Sequence, residues 1–201
     1  MSEQPTTGEM TTRLQHVRGI VRAALFAALM GSGGILALQV PISTVPFTLQ
    51  TMFVIMAGLF LGPRYAPFSV VIYLTMGAIG LPVFSKGGAG IGILLGPTGG
   101  YLIGFIVTAW LVGVLGALVR VVTAKQSGLR LVGYILAAVM GLSLGTYLLG
   151  TLRLAALLQI GFLEAALVGV VPFLAAELLK VLLAAGLIVS LERRGLYPNN
   201  E

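Results

Sequence analysis

Glu177 and Lys180 stand three residues apart in the run Pro172-Phe-Leu-Ala-Ala-Glu-Leu-Leu-Lys180, which is otherwise apolar. Proline suits the first turn of a helix, where its missing N–H costs nothing. A helix begun there carries Lys180 about 12 Å along its axis, at roughly 1.5 Å per residue. A spacing of three puts both side chains on one face, within pairing reach. Each ionisable group in such an apolar span costs roughly 2.5–3.5 kcal/mol on insertion scales, so it usually faces an interior and marks a site. The pair offers a donor and an acceptor side by side, which suits a urea, an amide, or a carboxylate held by the lysine. A structural ion pair, or a lysine snorkelling to the interface, accounts for the same residues.

Other chemistry is thinly represented. The chain has no cysteine and no aspartate, a single His16, and six acids: Glu3, Glu9, Glu164, Glu177, Glu192 and Glu201. Thiol nucleophiles, disulfides and cysteine or histidine metal clusters are thereby excluded. No catalytic residue and no metal ligand is expected. Gly87-Gly88-Ala89-Gly90-Ile91-Gly92 is glycine-rich but lacks the Lys-Ser/Thr of a phosphate loop. ATP hydrolysis, if it drives this protein, belongs to a partner. No cofactor is implied.

The elements that carry the pair must be membrane helices. Of 201 residues, 58% are hydrophobic and 9% charged, against roughly 25% charged in soluble domains; the mean hydropathy is +1.05. A span needs roughly 20 apolar residues. Spans are expected at about 17–38, 48–62, 65–81, 98–121, 131–149 and 172–191, with Pro63 and Pro67 leaving the second and third short or kinked. The first run is too long for a signal-peptide core and is read as retained. The expectation is an all-α bundle of six transmembrane helices over residues 13–195. A polar, disordered tail is expected over 1–12 and a short tail over 196–201.

With the N-terminus inside, the inner segments collect nine cations (Arg13, Arg18, Arg22, Arg64, Arg120, Lys125, Arg130, Arg193 and Arg194) and the outer ones only Lys86 and Arg153. That bias puts both termini in the cytoplasm. It also explains the net charge of +6 without nucleic acid, since the basic residues are scattered rather than clustered. The outer connections are apolar: 39–50 has two prolines and no charge, and 81–97 has five glycines among seventeen residues. Such loops are tolerated at membrane depth when they line a cavity or pack on protein. The connection over 150–171 is apolar enough to be partly helical and interfacial.

Five segments carry a resemblance: Val45-Pro-Phe-Thr-Leu-Gln-Thr51, Gly58-Leu-Phe-Leu-Gly62, Tyr73-Leu74, Gly80-Leu-Pro-Val-Phe84, and Leu95-Gly-Pro-Thr-Gly-Gly-Tyr-Leu-Ile-Gly-Phe105. They resemble BioY, the biotin-specific substrate-binding (S) component of energy-coupling factor (ECF) transporters, over about 22–194. The resemblance implies the six-helix S-component fold, with biotin held near the outer face beneath the loops. The partners it implies are a membrane coupling subunit and two ABC-type ATPases in the bacterial cytoplasmic membrane. It carries Lys180, Glu177 (where the family usually has aspartate), Phe47, Thr48, Phe84, Gly87, Gly88, Thr98, Gly99, Gly100 and Tyr101 over as biotin contacts. Lys86 is either solvated or a partner for the valerate carboxylate, and Tyr101 either stacks on ligand or sits in the interface belt. Ala23, Ala24, Ala27 and Ala28 form small-xxx-small pairs, which the resemblance assigns to docking the coupling subunit. A stand-alone transporter or channel is the alternative; the chain offers no series of intramembrane acids for proton coupling. A membrane enzyme has no nucleophile–base or metal set to support it.

Overall fold

The computed structural model describes residues 7–38, 45–123 and 126–197. Helices dominate because a backbone in hydrocarbon must satisfy every N–H and C=O internally, and a helix does so within one segment. Helix α1 is Thr7–Ile35. Helix α2 (Gln50–Ala78) is broken at Gly62, whose φ of 75° and ψ of −177° lie outside any helix. Glycine takes that conformation at no Cβ cost, and Pro63 then opens a second arm. The chain doubles back there, so Gln50 at the start of the first arm donates to the Tyr73 hydroxyl on the second.

A 3₁₀ turn (Ser85–Gly87) and the short α3 (Ile91–Leu95) lead into α4 (Gly99–Val122), which packs most extensively on α2. Helix α5 (Ser127–Gly141), a π-helical turn (Leu142–Tyr147) and α6 (Leu148–Leu158) form one continuous rod. Helix α7 (Phe162–Gly169) and a 3₁₀ turn (Val171–Phe173) precede α8 (Leu174–Arg193). Among the described residues there is no strand, only one antiparallel bridge between Leu38 and Phe47.

Among the described residues, four helical stretches are long and apolar enough to cross a membrane: Gln50–Ala78, Gly99–Val122, Gly128–Leu158 and Phe162–Arg193. The chain is an all-α, multi-pass membrane protein. Its outer surface fits that solvent: α8 alone exposes Leu178, Leu179, Leu182, Leu183 and Leu187. The expected spans 48–62 and 65–81 are the two arms of α2. With α1 added, the rods number six, as the sequence implies. The rod expected over 131–149 runs on to Leu158, within the connection expected to be partly helical, and Arg153 donates from it to the Leu95 carbonyl.

The tails differ from expectation. Residues 7–12 are helical, extending α1 below the expected span; residues 1–6, 39–44, 124–125 (with Lys125) and 198–201 lie outside the described residues. Tyr197 is packed rather than loose, and the cause lies in Pro63. In a continuous helix the Leu59 carbonyl would accept from the N–H four residues on, which proline lacks. Arg120 Nη2 (3.0 Å) and the Tyr197 hydroxyl (2.8 Å) donate to it instead. The Arg120 guanidinium lies 4.1 Å from the Tyr197 ring centroid. Glu192 pairs with both Arg120 (3.3 Å) and Arg130 (3.1 Å). Burial pushes the Tyr197 phenol up to about 12, so it stays a neutral donor at ordinary pH.

Gly113 of α4 lies against the break, where an added Cβ would come within 2.7 Å of Pro63 N and 2.8 Å of the Gly62 carbonyl carbon. Backbone cannot rotate away as a side chain can. Gly113→Ala is therefore expected to cost about 1–3 kcal/mol, read as a lower thermal unfolding midpoint in detergent; an unchanged midpoint would show that this contact does not fix the hairpin.

Candidate ligand-binding site

At the end of the bundle opposite Gly62, a cavity of about 70 Å³ lies among α2, α4, the π turn and α8. The segment from Val45 to Thr48 roofs it. The bridge to Leu38 holds that strap, with Leu38 N donating to Phe47 O at 2.9 Å and Phe47 N to Leu38 O at 2.8 Å. Beneath it, Lys180 Nζ donates to the Thr48 carbonyl (2.7 Å), to Thr51 Oγ1 (2.9 Å) and to Glu177 Oε1. An ammonium has three N–H donors, so all are committed. The Phe47 ring centroid lies 4.3 Å from Nζ. Lys180 is 3% and Glu177 7% exposed.

The carboxylate is used on one side only. Thr51 Oγ1 donates to Glu177 Oε1 at 3.0 Å, while buried Oε2 has no hydrogen-bond partner. Two further buried hydroxyls lack one, Ser85 Oγ and Tyr147 OH. Tyr147 stands near the Glu177 carboxylate, with no hydrogen bond of regular geometry between them. All three residues line this one cavity. Buried polar groups are nearly always paired, and here three residues in the wall of one cavity each carry an unpartnered oxygen.

The π turn positions two of the walls. Widening the helix breaks the regular ladder at Gly141, and Thr108 of α4 repairs it: its hydroxyl donates to Gly141 O (2.9 Å) and accepts from Thr146 N (3.0 Å). Consecutive residues Thr146 and Tyr147 then both reach the cavity. On the opposite wall, Lys86 adopts φ 59°, and the tight turn it makes sets the neighbouring Ser85 into the lining.

The BioY family profile matches residues 6–196. The chain belongs to the BioY family. Among its relatives, the "Probable biotin transporter BioY" of Pyrococcus horikoshii is 39% identical over 85% of this chain and 91% of its own length. The "Biotin transporter BioY" of Thermotoga maritima is 36% identical over 88% and 97%. A solved structure described as the S-component for biotin from an ECF-type ABC transporter matches with a TM-score of 0.78 at 27% identity, covering 94% of this chain and 95% of that one. The fold is that of an S component.

The structure gathers part of the expected site. Phe47, Thr48, Thr98, Tyr101 and Glu177 line the cavity. Lys180 lies behind that wall, its donors spent on protein acceptors, so it positions Glu177 rather than presenting its charge. Phe84 is fully buried, packed edge-on against Tyr73 at 5.5 Å, outside the lining. Gly99 and Gly100 are packing positions against Leu94 and Leu149 backbone, and Lys86, Gly87 and Gly88 lie on the adjoining turn, also outside the lining. Tyr101 donates to Gly169 O at 3.3 Å, so its hydroxyl ties α4 to α7. Ala23 and Ala27 are fully buried within the bundle, leaving Ala24 and Ala28 exposed on α1. Sequence reasoning passed over Thr51, Ser85 and Tyr147. Thr51 and Tyr147 carry the same signal as Glu177 in weaker form, a polar group inside an apolar run.

Lys180→Ala leaves the Glu177 charge buried without its counter-ion and is expected to cost about 3–5 kcal/mol. The double variant Lys180→Met with Glu177→Gln removes both charges and is expected to cost less. Thermal unfolding of the two in detergent checks this, and a double variant no better than the single would mean the charges do not compensate each other.

Proposed function

We propose that this protein is the biotin-capturing S component of an ECF-type transporter in a bacterial cytoplasmic membrane, with both termini cytoplasmic and the cavity facing outward. The observation that carries the reading is that three residues lining one cavity, Glu177, Ser85 and Tyr147, each hold a buried, unpartnered oxygen. Biotin's ureido ring carries two N–H donors and one carbonyl acceptor. Glu177 Oε2 accepts one N–H, and the two hydroxyls serve the remaining donor and acceptor. Phe47, Phe105 and Phe173 supply apolar surface for the bicyclic ring. The valerate carboxylate, with no cation in the described lining, points to the loop side, where Lys86 is exposed next to Ser85.

The cavity's 70 Å³ is below the roughly 300 Å³ at which ligand pockets begin. Admission therefore requires the strap of Val45–Thr48 to lift, which breaks the Lys180–Thr48 hydrogen bond. With no phosphate loop in the chain, release into the cell falls to a coupling subunit and its ATPases, and the exposed Ala24 and Ala28 give α1 a surface that a partner helix can approach closely.

Isothermal titration of detergent-solubilised protein is expected to show saturable biotin binding. Ser85→Ala and Tyr147→Phe each remove one neutral hydrogen bond and should weaken it about 2–10-fold. Glu177→Gln removes a charged acceptor and should cost about 10–150-fold. No saturable heat from the wild type would sink the reading. Biotin uptake in cells is expected only on co-expression with a coupling module; uptake by this chain alone would make it self-sufficient.

A further inference from the structure

Back to back with the ligand cavity lies a second, larger one. Between the α5–α6 rod and the α7–α8 segment runs a groove of about 500 Å³, within the roughly 300–1,000 Å³ range of ligand sites. Its walls include Val139, Leu142, Ala166, Val170 and Val181. Tyr147 and Glu177 are common to both cavities. At its rim Leu148, Leu174 and Leu178 are exposed on the outer surface. The groove is therefore continuous with the face that this multi-pass protein turns to hydrocarbon, alongside the first two turns of α8.

What fills it follows from size and chemistry. Left empty, the lining would lose its dispersion contacts on one side. Water needs two to four polar partners per molecule, and most of this wall is hydrocarbon. A protein helix is about 10–12 Å across, so a 500 Å³ space admits only about one turn of one. A flexible saturated or unsaturated chain has neither difficulty. We propose that the groove is a binding site for one acyl chain of a membrane phospholipid.

Native mass spectrometry tests this on the full chain, reconstituted in phosphatidylethanolamine–phosphatidylglycerol vesicles, extracted in mild detergent and washed. The wild type is expected to retain one phospholipid per chain. Val139→Phe with Ala166→Phe fills the groove and should lower the lipid-bound fraction at least 5-fold, whereas Leu118→Phe, on an exposed face of α4, should leave it unchanged. Should the filled variant fail to fold, a phospholipid bearing a diazirine in its acyl chain, irradiated with the wild type, should cross-link preferentially to the peptides spanning α5–α6 and α7–α8. Retention of no lipid by the wild type, equal retention by the filled variant, or cross-links spread evenly over the outer surface would overturn the proposal. The readout is lipid, so it is independent of whether the protein binds biotin.

Discussion

The ammonium of Lys180 is the constraint from which the cavity end is built. A cation held away from water is tolerated only with acceptors for each of its protons, and here they come from three parts of the chain: Thr48 O on the strap, Thr51 on α2 and Glu177 on α8. One charge therefore ties together segments more than a hundred residues apart. Because Lys180 and Thr51 both address the same carboxylate oxygen, the other oxygen remains without a partner. The lysine thereby orients the carboxylate that neutralises it.

The far end obeys the same accounting with a different origin. Pro63 deprives the Leu59 carbonyl of its helical donor, and hydrocarbon offers no water to replace it. Arg120 and Tyr197 supply donors, and the guanidinium so recruited needs an anion. Glu192 provides it and is shared with Arg130. A cluster joining α2, α4, α5 and the end of α8 thus follows from one imino acid at a hairpin turn. Cavity and cluster sit at opposite ends of the same rods, so the hairpin arms are held at both.

Much of this was legible in the sequence, and the omissions have physical causes. The six rods follow from apolar run lengths, and Glu177 with Lys180 from their expense in a span. Helical spacing also makes those two neighbours, which they are. Spacing within one helix cannot disclose that Lys180 finds the carbonyl of Thr48, since that depends on how the strap folds over α8; hence the expectation of a lysine presented to the ligand. The glycines of the 95–105 motif read equally well as ligand contacts or as packing sites, and Gly99 and Gly100 prove to be packing sites. Tyr147 reaches the cavity through a π turn stabilised from a neighbouring helix by Thr108. No local propensity announces such a turn, because the hydrogen bonds that sustain it are tertiary.

The strap and the ion pair are therefore one device. Lifting residues 45–48 to admit a ligand removes the Thr48 carbonyl from Lys180, and a hydrogen bond to a charged group contributes about 1.5–3 kcal/mol. The open state bears that cost. Closure of the strap returns the Thr48 carbonyl to Lys180 and recovers it. Closing the cavity and completing the three hydrogen bonds of Lys180 are therefore the same event, so one ammonium holds both the roof and the carboxylate beneath it.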